Sequence, residues 1–278
     1  MITVVRKTIR YVRRDGLGAT TRRALKRIQF SLGLASDPVE ERRVALSREL
    51  FEEFGGVVRY GPMKGLKLPG GLYWSSGDGA PMLLGIYERE VLEQLQGIAA
   101  MRHTLVNLGA ADGYYGVGLV KNGMFEHSYC FELMTKGRAA IKELATANGL
   151  EKRVHVYGAA DAALSRVLGS EGVKLGDVVI LCDIEGAEFE IFTDNALAAL
   201  KGTIIIIELH DFLREDGREQ LLALKERASV WFDLTEILMG GRDFSAFPEC
   251  RRFSDSDRWL MASEGRGELM TWLRLDPK

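Results

Sequence analysis

Between residues 104 and 238, short apolar runs alternate with stretches of helical periodicity. The runs are TLVNLG (104–109), SYCFEL (128–133), RVHVYG (153–158), DVVILCD (177–183), GTIIIIEL (202–209) and WFDLTEIL (231–238). Between them apolar side chains recur at helical spacing. This is clearest over 136–148, where Asn148-Gly149 supplies a stop signal, and over 187–200. The uninterrupted IIII at 204–207 predicts a strand covered on both faces, as in parallel sheets. Strand–helix alternation of this kind predicts an α/β fold with a doubly wound, mostly parallel, Rossmann-like sheet. A last strand, ELMTWLRL (268–275), follows a polar stretch without a clear crossover helix. It brings the sheet to seven strands and leaves an antiparallel pairing open.

Upstream the pattern differs. Residues 1–55 read as polar and mostly helical, broken at 16–18 and at Asp37-Pro38. VVRYGPMKGLKL (57–68) reads as two short strands about a Gly-Pro turn. A Gly/Pro/Ser loop over 68–82 carries Tyr73 and Trp74, and a helix over 83–100 follows. The expected organisation is a helical N-terminal extension and cap region with a short hairpin over 1–100, and the α/β domain over 101–278.

A chain of 278 residues allows one large domain with an extension. Its 46% hydrophobic and 27% charged residues exclude disorder, collagen and coiled coil as whole-chain descriptions. No uncharged apolar run approaches the roughly 18 residues of a membrane span. Cys130, Cys182 and Cys250 are odd in number and widely spaced, which argues against a disulfide framework or a thiolate zinc site. A cytoplasmic location is expected, because no apolar core follows the basic start to make a secretory signal.

The net charge of -2 hides an uneven distribution. Residues 1–30 carry nine Lys or Arg against Asp15 alone, leaving a balance of -10 on the rest. Ile2, Val5, Ile9 and Val12 recur at helical spacing within that stretch. It reads either as a solvated helix docked on the body or at a homodimer contact, or as an interfacial helix on an anionic membrane. No nucleic-acid partner is expected.

Ligands of open α/β sheets bind beyond the carboxyl ends of the strands. The first strand is followed by GAADGYYG (109–116), whose glycines permit a tight turn and close backbone approach to a ligand. Neither GxGxxG nor GxxxxGK[ST] occurs, which weighs against dinucleotide and phosphate loops. Glu132 ends the second strand, where a carboxylate can accept hydrogen bonds from vicinal ribose hydroxyls or cap the next helix. Gly158, Ala159, Ala160 and Asp161 follow the third strand, where small residues would let a flat ring lie on the sheet edge. The fourth strand delivers Asp183, Glu185 and Glu188 to a helix start, which the helix dipole partly explains. The fifth ends in Glu208-Leu209-His210, with Glu208 and His210 on one face.

VNLGAADGYYG (106–116), CFELM (130–134), DIEGAEFEIF (183–192) and IIIELH (205–210) resemble the FkbM-type family of S-adenosylmethionine-dependent methyltransferases. GPMKGLKL (61–68) and LLGIYEREVLEQL (83–95) resemble the segment preceding the core of that family. The likeness spans residues 61–238, and D-x-E-G-x-E is its most specific part. Asn107 departs from it, since such enzymes usually carry an acid two residues before the first glycine.

The resemblance implies a class I methyltransferase-type sheet, S-adenosylmethionine as cofactor, and methyl transfer to a hydroxyl of a sugar, glycan or natural product. Asn107, Gly109, Ala110, Asp112, Gly113, Glu132, Ala160, Asp161 and Asp183 would then bind the cofactor. His210 is the first choice of base and Asp183 the second, with Glu185 and Glu208 orienting base or acceptor. Trp74, with Tyr73, Trp231 and the loop over 240–259, would contact the acceptor. A metal-assisted variant would place Mg²⁺ or Mn²⁺ on Asp183, Glu208 and His210, although no metal is assigned. A nicotinamide oxidoreductase and a non-catalytic protein that binds an adenosyl cofactor are the other readings.

Overall fold

The computed structural model describes residues 37–70, 76–160 and 164–278. The basic segment 1–30, Tyr73, Trp74 and Asp161 lie outside the described residues.

The first described helix, α1 (Pro38–Phe54), starts where Asp37 accepts a hydrogen bond from the Val39 N–H at 2.9 Å, with Pro38 in the first turn. It stops at Gly55, which takes the left-handed conformation at φ 61°. Leu46, Leu50 and Phe54, four residues apart, form its buried stripe. The hairpin expected over 57–68 reduces to a single antiparallel bridge, Val57–Lys67. Gly61 and Gly65, at φ 66° and 87°, curl the segment before a ladder can extend. Of the helix expected over 83–100 only α3 (Arg89–Ile98) forms, preceded by a separate short helix, α2 (Gly79–Leu83), inside the expected loop. Gly85 separates them: it sits at φ 68°, and a Cβ there would lie 2.1 Å from the Tyr60 carbonyl oxygen.

Seven strands form one sheet in the order β3-β2-β1-β4-β5-β7-β6. They are β1 (Thr104–Leu108), β2 (His127–Phe131), β3 (Val154–Tyr157), β4 (Val178–Cys182), β5 (Ile204–Glu208), β6 (Phe232–Leu238) and β7 (Thr271–Pro277). β1 to β5 pair in parallel, and β7 lies antiparallel between β5 and β6. The doubly wound, mostly parallel sheet read from the sequence is the observed one, with the reversed strand last in the chain.

Alternate side chains serve opposite layers, which is why the strands read as continuous apolar runs. Leu105, Leu181, Ile204 and Ile206 join the layer that holds α1, α3, α4 (Tyr114–Lys121) and α5 (Thr135–Ala147). Val106, Leu108, Ile205 and Ile207 join the layer of α6 (Leu164–Ser170), α7 (Glu188–Ile191), α8 (Asp194–Ala199) and α9 (Gly217–Ala228). Residues 187–200 thus form two short helices, because Thr193 caps α8 through the Ala196 N–H and restarts the spiral. The last helix, α10 (Asp255–Ala262), returns Met261 to the first layer. Among the described residues no helix is long and apolar enough to cross a membrane.

The strand ends are locked to one another. Gly109 and Ala110 donate their N–H groups to the Phe131 carbonyl at 2.9 and 3.0 Å, and the Asp183 N–H donates to Leu108 at 2.9 Å. Gly109 adopts φ 74°, and a Cβ on it would lie 1.6 Å from the Asp183 carbonyl oxygen. Gly109→Ala should therefore cost about 3 kcal/mol or more of stability, combining left-handed strain with backbone overlap. Denaturant unfolding checks this; a loss of a few tenths would mean that the strand ends can part.

Candidate active site

β1 to β5 end along one edge of the sheet, and the residues that follow β1, β2, β3 and β4 border a cleft of about 460 Å³. On one side the turn after β1 passes through Ala111 at φ 48° and Gly113 at φ 92° before α4 begins. On another, Glu132 follows β2, with only 6% of its surface exposed. Its carboxylate accepts the Ala111 N–H at 2.9 Å and the Met134 N–H at 2.6 Å, so it ties the glycine-rich turn to the start of α5. Gly137 leaves room for it, since a Cβ there would lie 2.7 Å from Glu132 Cγ. Phe131, Leu133, Met134, Ala160, Ile184 and Ile191 supply apolar surface to the same cleft.

A second cavity of about 270 Å³ adjoins the cleft, sharing Gly109, Ala111, Asp183 and Glu185 with it. At the junction the ends of β4 and β5 gather acids around one histidine. His210 is 2% exposed. Its Nε2 lies 3.5 Å from Glu208, 3.6 Å from Asp183 and 3.7 Å from Glu185, while Nδ1 lies 3.5 Å from Glu188. Glu188 is fully buried and accepts the backbone N–H groups of His210 at 2.9 Å and Gly186 at 2.8 Å.

These contacts set the protonation pattern. Burial works against charge on Glu188, but His210 and the backbone donors hold its carboxyl below the ordinary range. Burial likewise opposes charge on His210, and is outweighed by Glu188, Asp183 and Glu185, so its pKa rises. Glu208 is buried and Asp183 beside it half-buried. Burial raises both, and with the Asp183 charge beside it Glu208 is pushed up to about 11 and keeps the proton of their shared hydrogen bond.

The far wall of the second cavity comes from distant segments. Glu88, 3% exposed and at φ 44°, accepts the Tyr115 hydroxyl at 2.5 Å. Arg266 joins Glu88, Glu208 and Glu264 in one ion-paired group. Arg242, from the loop after β6, pairs with Glu90 at 2.5 Å and with Glu264 at 3.1 Å. Burial pushes Glu264 up to about 7, against the pull of Arg242.

Most of the residues singled out in the sequence converge here. Gly109, Glu132, Ala160, Asp183 and Glu185 line the cleft, and Asn107, Ala110, Asp112 and Glu208 line the cavity beside it. Gly113 sits behind the turn against Ile141 and Val117. Trp231 is a correction: it precedes β6, whose direction matches β5 through the intervening antiparallel β7, and so stands at the amino end of the sheet. There its ring packs under Lys201, 5.0 Å from the ammonium. The candidate metal-ligating group among the described residues is also not the one expected. It comprises Asp183, Glu185 and His210, while Glu208 is taken up by Arg266 and Asp183.

Glu188, Glu88, Glu264, Arg242 and Arg266 are site residues that sequence reasoning left without a role. For Glu188 the signal was present: it is the last acid of D-x-E-G-x-E, read only as a helix-dipole partner. The others carry no local signal, because their partners are far away in the chain.

No family model and no curated protein matches the chain. Solved structures do. An O-methyltransferase from Bacillus cereus, in complex with SAH, is 15% identical with a TM-score of 0.45, and the match covers 91% of this chain and 97% of that one. The B. subtilis M1A22 tRNA methyltransferase TrmK is 14% identical with a TM-score of 0.41, over 70% and 68% of the two chains. M. capricolum TrmK with S-adenosylhomocysteine gives 14%, a TM-score of 0.39, and coverage of 66% and 68%. The fold assignment rests on the strand order and register, and the chemistry on the residues themselves.

In cation-free protein the His210 ring should titrate above 6.5, because its carboxylate partners favour the imidazolium. The His155 ring should titrate below 6.5, because burial and then His127 oppose its charge. The raised His210 pKa stabilises the fold below its unfolded value near 6.5, and that contribution is lost as pH rises through the folded value. Two-dimensional NMR of the imidazole carbons resolves both rings. A His210 midpoint below 6.5 would contradict the ring of charges around it.

Proposed function

We propose that the chain is an S-adenosylmethionine-dependent methyltransferase that methylates a hydroxyl oxygen of a sugar, glycan or natural-product acceptor. The observation that carries this reading is the continuity of the two spaces. An apolar cleft edged by Glu132 and the glycine-rich turn runs into an acidic cavity at Asp183 and Glu185. The FkbM-type resemblance of the residues at these strand ends supports the same reading.

The residues present fit such a cofactor. Adenosine needs a flat apolar slot, which Phe131, Ile184 and Ala160 offer, and a carboxylate for its ribose diol. Glu132 has lone pairs to spare after accepting its two backbone N–H groups. Asn107, Asp112 and Asp183 offer acceptors to a methionyl ammonium, and Gly109 keeps the turn free of side-chain bulk. When bound, S-adenosylmethionine supplies a methyl group already activated by its sulfonium, so positioning of the acceptor accounts for much of the rate.

The second cavity suits a hydroxyl-rich acceptor. Glu88 and Glu264 accept hydrogen bonds, and Tyr87 and Tyr115 present aromatic surface. Removal of the acceptor proton falls to the group formed by Asp183 and Glu185, which line both spaces, and His210, buried behind them with its Nε2 3.6 and 3.7 Å away. A nicotinamide cofactor is less well served, since the turn after β1 lacks the GxGxxG pattern.

Two outcomes test the proposal. Calorimetric titration should show binding of S-adenosylmethionine and none of NADH, with Glu132→Ala weakening the former by about 1–3 kcal/mol. Unchanged affinity in that variant would remove Glu132 from the ribose role, and absence of binding would overturn the reading. With labelled cofactor and a panel of glycans, glycolipids and aglycones, His210→Ala should lower transfer about 100-fold or more while cofactor affinity holds. Near-normal turnover would make His210 structural only.

A further inference from the structure

We propose that Asp183, Glu185 and His210 form a site for a divalent first-row cation, with Mn²⁺ as its fitting occupant, at the junction of cleft and cavity. One ligand atom from each residue falls within 4.8 Å of the others. The His210 Nε2 stands 3.6 Å from Asp183 and 3.7 Å from Glu185. Those separations are too long for charge-assisted hydrogen bonds, which run to about 2.7–2.9 Å. They are close to the spacing of neighbouring ligand atoms around one ion, roughly 3–3.6 Å for metal–ligand distances of about 2.0–2.2 Å.

Two further observations point to a ligand. The Asp183 oxygen that faces Nε2, Oδ1, is shut off from solvent, and apart from the proton that Glu208 shares with this carboxylate no donor reaches it, so it has lone pairs to give to a ligand. His210 is nearly fully buried, and its Nε2 is directed into the cluster. Its other ring nitrogen faces Glu188, a buried carboxylate oriented by the backbone N–H groups of Gly186 and His210. Glu188 thus stands on the side of the ring where the second layer of a metal site belongs, at 3.5 Å and so within reach of a hydrogen bond on a small ring shift. Glu208 also lies 3.5 Å from the Nε2, but it is ion-paired with Arg266 and falls outside the group of three, so it supports the ligands and is not one of them.

The donor set narrows the ion. One imidazole with two carboxylates is too nitrogen-rich for a typical Mg²⁺ or Ca²⁺ cage and has no thiolate, which points to a divalent first-row ion that keeps bound water. Mn²⁺ accepts this mix of oxygen and nitrogen and reports its own binding through its paramagnetism. Glu185, with 67% of its side chain exposed, leaves an open side toward the cleft. The binding claim stands by itself. Its catalytic consequence rests on the methyl-transfer reading: a cation here would lower the pKa of an acceptor hydroxyl directly, and His210 would act as a ligand instead of a free base.

The test is Mn²⁺ titration of chelator-treated full-length protein, followed by electron paramagnetic resonance of the free ion and by broadening of the His210 ring signals. One tight site per chain is expected, with the His210 resonances lost first. Glu185→Gln, at an exposed position that should leave folding intact, should weaken Mn²⁺ binding at least tenfold, and Asp183→Asn more. Absence of a stoichiometric site, or a site unmoved by Glu185→Gln, overturns the proposal. S-adenosylmethionine affinity measured on the same samples keeps the two ideas apart. Cofactor binding without Mn²⁺ binding sinks only the cation, and Mn²⁺ binding without cofactor binding sinks only methyl transfer.

Discussion

The carbonyl oxygen of Asp183 reaches into the space that a side chain at residue 109 would fill, and the arrangement of the site follows from that close approach. β1 and β4 are neighbours in the sheet, and both must turn away at their carboxyl ends. Glycine in a left-handed conformation lets one chain turn beneath the other. The Asp183 N–H meanwhile stays bonded to Leu108. With its backbone so held, Asp183 lines both cavities at their junction, where β5 brings Glu208 and His210 to meet its side chain.

That junction concentrates negative charge to a degree that isolated carboxylates would not tolerate in a buried setting. The chain offsets it in three ways. Backbone N–H groups stabilise Glu188, protonation neutralises Glu208, and Arg266 joins the far wall to the strand ends. A positively charged ligand or ion would supply a fourth. The same arithmetic accounts for the left-handed backbone at Glu88, whose carboxylate reaches both Arg266 and Tyr115 from that position.

The sheet was legible because burial on both faces leaves long apolar runs, and such runs survive any exchange among Val, Ile and Leu. The ends of those runs were equally legible, since Gly109, Glu132, Asp183 and His210 are the first polar or flexible residues after each strand. Trp231 falls outside that rule, because it opens the sixth run, and the opening residue of a strand parallel to β5 stands at the amino end, away from the acceptor. The wall built from Glu88, Glu264 and Arg266 was illegible for a different reason. Arg266 lies 178 residues from Glu88 and 58 from Glu208, and no periodicity spans such distances. Gly85 shows the remaining kind of miss, a helix cut by contact with a distant backbone carbonyl.

The central claim is that the strand ends form one adenosyl-cofactor site opening onto an acidic acceptor cavity. A crystal structure of the protein with S-adenosylhomocysteine tests it most directly. The expected result puts the ribose on Glu132, the base against Ile184 and Ala160, and the sulfur toward Asp183 and Glu185. A ligand bound elsewhere, or one whose ribose leaves the Glu132 carboxylate untouched, would contradict the account.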